Sequence, residues 1–323
     1  MILYKMLTYR KTSLQDNLDW DELIQGSDTA TFFQTKEWLR LWVKYLVKDG
    51  EVVIYAVYEN EELIGIAPFR ISANKIEILG APDPSEGGSL SDFGDIIAKI
   101  SYEEIVWKEV LAKSKIQNPK SKIELNYIRE ESPSFKILQD FGGKAEVMEV
   151  SPVINFPKTW DLYLSTLDRH DRHEIRRKMR KIEEEEVVKV CDEINPQNID
   201  DFYRLMVASN AKKGDFLSEN VRRFFSEVIL ELGQKKLLTL CFLRYNSENI
   251  AAILLLHQKN EVLLYNSGFD PKYSFLSPGL ILISYAIKQA IEAGKDRFDF
   301  LRGNEKYKYD LGGKDRKLYK ITF

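Results

Sequence analysis

The sequence predicts an α/β protein made of two tandem copies of one domain, each a mixed, mostly antiparallel twisted sheet flanked by helices. Three observations predict it. Asn60 and Asn246, Ile64 and Ile250, and Asn74 and Asn260 recur at one fixed offset, which also sets Trp38 on Phe224, Leu39 on Phe225 and Val52–Tyr58 on Leu238–Arg244. A helix–strand–turn–strand–turn–strand order is kept in register across both copies, as a tandem duplication requires. Last, Val262–Leu311 reads as strand, loop, capped helix, strand and polar tail, a unit that brings two loops to one sheet edge, where ligands usually bind.

Taken in order, Leu14–Ile24 is a first helix, and Thr35 caps a second that carries Trp38, Leu39, Leu41, Trp42, Tyr45 and Leu46 and ends at Asp49-Gly50. Strands follow at 52–58, 63–71 and 75–79, joined by polar turns at 59–62 and 72–74. Residues 81–95 form a long loop rich in turn formers and acids, a candidate lid or a plain surface loop. Helix 102–114, strand 122–128, helix 132–141 and strand 144–154 complete the first copy. The join falls at Phe156-Pro157, giving domains 1–157 and 158–323.

The second copy opens with a basic helix over 160–182, followed by Glu183–Glu186. Strand 187–193, a helix over 197–213 capped by Asn195-Pro196 and a helix over 218–233 lead to three strands. In the final unit Ser277 is a natural N-cap, Pro278 occupies the first helical position and Gly294 closes the helix. Leu276, Leu280, Ile283, Ile287 and Ile291 give it one broad apolar stripe. Arg297–Arg302 is a short strand with Phe298, Phe300 and Arg302 on one face and Asp299 and Leu301 on the other.

At 323 residues and a formal charge of −3 the chain is long enough for two cores and gives no global argument for nucleic acid. Cys191 and Cys241 lie in apolar runs and read as buried thiols in a reducing cytoplasm. No signal pattern or membrane-length apolar run is visible. His170 and His173 are one helical turn apart without a third ligand, so no metal is expected. G-x-S-x-G, P-loop and Cys–His signatures are absent.

The element order resembles the GNAT acyltransferases, and more closely their tandem branch, the CelD-like acyltransferases and the Fem-type transferases of peptidoglycan bridges. The matching residues are Phe33-Gln34-x-x-x-Trp38, Ser91-Asp92-Phe93, Arg172-x-x-Ile175-Arg176-Arg177, Ser277-Pro278-Gly279 and Phe298-Asp299-Phe300-Leu301-x-Gly303-x-Glu305-x-Tyr307-Lys308. The resemblance implies an N-acyltransferase moving an acyl group from acyl-CoA to a small-molecule or precursor amine in an interdomain cleft, with the second domain catalytic and the first a degenerate cleft wall. It implies a V-shaped split between Leu264–Gly268 and Phe298–Leu301, with Glu305 as base, Tyr307 as acid and Asp299 orienting the amine. Trp38, Asp92, Phe93, Tyr265, Arg302 and Lys308 would bind substrate; Asn266, Gly268, Ser277 and Gly279 would bind the co-substrate.

Acetyl-CoA is one possible donor, yet the usual pyrophosphate loop is replaced by Phe275-Leu276-Ser277-Pro278-Gly279, and Pro278 has no N–H to give. The first-copy counterpart, Glu86-Gly87-Gly88-Ser89, is acidic. Fem-type proteins lack that loop and use aminoacyl-tRNA, which the basic helix could grip, although a solvated face is its plainer reading. A strand-end salt-bridge cluster, or a silent polyanion- or partner-binding module, are the remaining readings.

Overall fold

The structure, a computed structural model, describes residues 7–72, 74–81, 90–117, 120–191, 194–210, 214 and 217–323. The chain divides into two compact units, Met1–Glu149 with Arg316–Phe323, and Val150–Asp315.

Unit 1 begins with β1 (Leu7–Thr12), α1 (Trp20–Gln25) and α2 (Lys36–Leu46). The predicted three-strand run follows as β2 (Glu51–Glu59), β3 (Glu62–Ile71) and β4 (Lys75–Ile78), then β5 (Ile97–Ala98), α3 (Glu103–Gln117), β6 (Lys122–Arg129), α4 (Pro133–Asp140) and β7 (Lys144–Val150). Unit 2 holds β8 (Val153–Asn155), α5 (Trp160–Thr166), α6 (Arg169–Glu184), β9 (Val188–Cys191), α7 (Pro196–Ser209) and α8 (Glu219–Gln234). It continues through β10 (Leu238–Tyr245), β11 (Glu248–Gln258), β12 (Glu261–Phe269), α9 (Pro278–Glu292), β13 (Arg297–Asp299) and α10 (Lys306–Asp310). The last strand, β14 (Lys317–Thr322), belongs to unit 1.

Each unit has its own sheet. In unit 1 the order is β1-β2-β3-β4-β6-β14-β7, with β5 also on β3; in unit 2 it is β8-β13-β12-β11-β10-β9. Both are antiparallel except where a helical crossover returns the chain, at β4–β6 and at β12–β13, as such crossovers require. The repeat holds in fine detail. Asn60-Glu61 and Asn246-Ser247 both take positive φ at the tips of β2–β3 and β10–β11, the geometry of a two-residue hairpin turn. Both hairpins carry a register shift at equivalent places, Val57/Tyr58 and Leu243/Arg244.

Five expectations need correction. The join is not at 157: the strand expected over 144–154 breaks at Ser151-Pro152, and β8 beyond the break pairs with β13 of unit 2. The second domain does not run to 323, because β14 inserts between β6 and β7, burying Leu318 and Ile321 completely. The basic helix over 160–182 is two helices, parted where Asp168 caps α6 by accepting from the Asp171 N–H. The strand at 297–302 ends at Asp299, and Leu301 turns to φ 57°. Finally, Cys191 and Cys241 are not thiols: they face each other across β9 and β10 and form a disulfide, so cysteine usage gives no support to a reducing compartment.

In unit 2, α9 lies on the sheet with Ile281, Leu282, Ile283, Ala286, Ile287 and Ile291 buried. They join Phe298, Phe300, Tyr163, Ile175 and Ile182 in one core. No helix among the described residues is long and apolar enough to cross a membrane.

Candidate active site

The site follows from how β12 and β13 part. Their parallel register covers only Glu261–Arg297, Val262–Phe298 and Leu263–Asp299, while β12 runs on to Phe269. Two local features open the angle. Opposite β11, the register jumps from Leu255–Leu264 to Leu254–Asn266, leaving Tyr265 as the extra residue of a bulge, and bulges bend a strand and re-aim its side chains. On the other side, the chain leaves β13 because the Phe300 N–H donates to the Pro152 carbonyl (2.9 Å) and the Gly303 N–H to that of Val150 (3.0 Å). Of the expected split between Leu264–Gly268 and Phe298–Leu301, the Leu264–Gly268 side has no β13 partner, while Phe298 and Asp299 are still paired with Val262 and Leu263. Sequence reading missed the bulge; two pairing registers must be known before it can be seen.

Asp299 is fully buried and accepts hydrogen bonds from the Ser151 hydroxyl (2.7 Å) and the Leu301 N–H (2.8 Å). It therefore shapes the turn after β13 rather than meeting a substrate amine. Lys308 is also buried. Its ammonium donates to the carbonyls of Leu301 (3.2 Å), Arg302 (2.7 Å) and Gly303 (3.1 Å) and pairs with Glu305 at 2.9 Å. Those contacts use its three protons, so the charge expected for a substrate phosphate instead ties together the turn that carries Arg302. Arg302 itself is partly exposed.

Glu305 stands at the start of α10 with its side chain 57% exposed. Gly303, at φ +108°, leaves room for it: a Cβ there would lie 2.6 Å from a Glu305 carboxylate oxygen. Tyr307 packs edge-on against Phe300 at 6.2 Å. Burial, reinforced by the nearby Glu305 charge, pushes its phenol far above the ordinary range, so Tyr307 stays protonated and releases a proton only reluctantly.

The remaining predicted residues divide. Tyr265 and Asn266 are half-buried on the splayed part of β12, with the Tyr265 ring 5.6 Å from Phe225. Gly268 packs against α7 so closely that a Cβ would sit 2.4 Å from the Leu205 and Met206 backbone; it sets helix-to-strand spacing rather than holding a ligand. Ser277 occupies the cap position of α9 but in the left-handed conformation, with no side-chain cap hydrogen bond, contrary to expectation. A Cβ on Gly279 would meet the Phe269 ring at 3.2 Å. The α9 start, with Pro278 lacking an N–H and Phe269 against Gly279, does not fit a diphosphate.

Trp38, Asp92 and Phe93 are all buried in unit 1. The Trp38 indole N–H donates to the Ser91 hydroxyl at 2.9 Å. Phe93 stacks edge-on against Phe33 beneath the Arg129 and Arg316 guanidinium groups. Where unit 2 is open past its parallel pair, unit 1 is filled by its own chain. The Gly94 N–H donates to Tyr127 O (3.2 Å), and Asp95 accepts from the Ser132 (2.6 Å) and Ser134 (2.5 Å) hydroxyls. Glu86-Gly87-Gly88-Ser89 and the rest of 82–89 lie outside the described residues. Among the described residues no group of three His, Cys, Asp or Glu could hold a metal ion.

Residues 169–309 match the family model described as an acetyltransferase (GNAT) domain. A comparison with curated protein sequences gives no match. Among solved structures, the crystal structure of FemX superposes at a TM-score of 0.69 with 11% identity, covering 97% of this chain and 96% of that one. L-PGS from Bacillus licheniformis gives 0.61 with 12% identity over 94% and 90% of the two chains. A tandem GNAT protein from the clavulanic acid biosynthesis pathway gives 0.52 with 6% identity over 98% of each. These likenesses concern the fold. The family match falls in the unit whose β12–β13 pairing ends early, and the chain as a whole has the fold of tandem GNAT proteins.

Proposed function

We propose that unit 2 transfers an acyl group to an amine at the split between β12 and β13. The observation that carries this reading is the early end of the β12–β13 register, which leaves the rest of β12 without a β13 partner, in the unit whose turn after β13 leads to the exposed Glu305. The amine nitrogen attacks the acyl carbonyl, main-chain N–H groups on that side of β12 hold the developing oxyanion, and the tetrahedral species collapses with loss of the donor's thiolate or alkoxide. Glu305 takes the proton from the attacking nitrogen through the oxygen turned away from Lys308. Tyr307, held neutral, serves as a hydrogen-bond donor at the site rather than as a ready acid.

The first donor to test is an acyl-CoA thioester. Acetyl-CoA or a longer acyl-CoA should raise the melting midpoint more than free CoA does, since a ligand of the native state stabilises by mass action. Glu305→Gln should keep that shift and lower amine acylation about a hundredfold or more. An absence of any thioester effect overturns the CoA reading. Aminoacyl ester on tRNA is the second reading, favoured by the α9 start, where Pro278 and the Phe269 ring leave little for a diphosphate. Acylation of an amine from charged tRNA, with none from thioesters, selects it.

A further inference from the structure

A markedly uneven charge lies on α6. Residues 169–182 carry seven Lys and Arg against two acids, in a chain of net charge −3. Arg177 and Lys178 are absorbed by Glu174, at 2.8 and 3.9 Å. Arg169, Arg172 and Arg180 have no ion pair or hydrogen bond among the described residues, and Arg176 has only the solvent-exposed Asp161 at 3.8 Å. Positions 169, 172, 176 and 180 fall on one side of a helix and span about 16 Å at 1.5 Å per residue. Ile175, Met179 and Ile182 anchor the adjoining side of the helix in the core, which leaves Arg169, Arg176 and Arg180 exposed and Arg172 half-buried.

Two exposed apolar side chains lie beside the helix. Asp161 of α5 approaches Arg176, and its neighbour Leu162 is 51% exposed. Phe275 is 57% exposed beneath the Lys181 ammonium, 5.2 Å from the ring centre, and Lys181 also donates to the Phe275 carbonyl. An RNA backbone would satisfy the arginines and a base could stack on Phe275, but nothing in RNA uses the bare Leu162. A lipid surface satisfies both, because guanidinium forks take headgroup phosphates while apolar side chains enter the acyl boundary.

We infer that this α6 ridge is a docking surface for an anionic lipid bilayer, engaged peripherally with Phe275 and Leu162 as shallow anchors. The inference does not depend on the transfer reaction. It is tested by co-sedimentation of the full chain with vesicles of phosphatidylglycerol and phosphatidylcholine, against vesicles of phosphatidylcholine alone. Binding should need the anionic lipid and weaken with added salt. Each arginine near the surface contributes roughly fivefold, so Arg172→Ala/Arg180→Ala should bind about thirtyfold more weakly. Phe275→Ser should weaken binding while leaving its salt dependence intact. The changed side chains lie on the surface of the helix and its flanking turn, so melting midpoints should match the parent and exclude misfolding. Absence of binding, equal binding to neutral vesicles, or an undiminished arginine variant overturns the inference. So does binding to tRNA, lost in the same variant, without binding to vesicles; the ridge would then be a nucleic-acid surface.

Discussion

Lys308 is the residue through which the geometry after β13 can be tested most directly. Lys308→Met keeps the length and apolar stem of the side chain and deletes the ammonium. Three carbonyls then lose a donor, those of Leu301, Arg302 and Gly303. Arg302 and Gly303 are half-exposed, so water can replace the lost bonds there, but Leu301 is only 2% exposed and its carbonyl stays dry. A stranded buried acceptor costs about 1–3 kcal/mol, and breaking a buried charge cluster about 3–5. The expected loss is about 3 kcal/mol, near the low end because two of the three acceptors rehydrate. For a unit of this size that lowers the melting midpoint by about 6–12 °C. Glu305→Gln is the matched control: the pair at 2.9 Å is lost, but the Glu305 side chain is mostly exposed, so stability should move by less than about 1 kcal/mol. Thermal unfolding of both variants, followed by circular dichroism, decides. If Lys308→Met melts within about 2 °C of the parent, the buried ammonium does not hold the turn and its assignment as a structural tie is wrong.

Three further outcomes are expected. Burial raises the Asp95 carboxyl from 3.8 to about 6 against the opposing Ser132 and Ser134 hydrogen bonds; the folded state thus holds the proton more tightly, and the associated stability is whole below about pH 4 and lost as pH rises through 6. Asp95→Asn should remove that slope, worth about 3 kcal/mol between the two limits, and equilibrium unfolding at pH 4.5 and 7.5 with an unchanged difference would count against it. The Cys191–Cys241 bond spans 50 residues of sequence, a loop whose closure stabilises by about 4 kcal/mol on chain-entropy grounds; reduction or Cys191→Ser/Cys241→Ser should lower unit 2 stability by most of that, measured by urea unfolding. A fragment of residues 1–149 should fail to fold alone, because β14 supplies Leu318 and Ile321 to its core and separates β6 from β7; a cooperative melt of that fragment would refute the strand's role.

What could be read from the sequence was what repeats or alternates locally. The Asn60-Glu61 and Asn246-Ser247 tips, the fully buried Ile64 and Ile250, and the Lys122-to-Asn74 and Asp296-to-Asn260 main-chain bonds occupy matching positions in the two copies. Side-chain type therefore fixed turns, strands and faces without help from the rest of the chain. What could not be read depends on partners far away in sequence. β14 pairs with β6 across the whole of unit 2, and the three residues of β8 are too short to show a period. Cys191 meets Cys241 only because β9 and β10 pair in one register. The site shows the same division. The split between β12 and β13 followed from element order, but Asp299, Lys308 and Gly268 looked like binding chemistry because carboxylates, ammonium groups and glycines at a strand end often are. The structure gives them other work: Asp299 receives Ser151 and Leu301, Lys308 gathers three carbonyls, and Gly268 admits α7. A charged residue near a strand end thus has two physical fates, facing a ligand or satisfying the backbone that turns away from the sheet. Burial separates them: Lys308 is 3% exposed in its side chain and Glu305 57%, which leaves Glu305 as the carboxylate at this turn with an exposed face for an incoming amine.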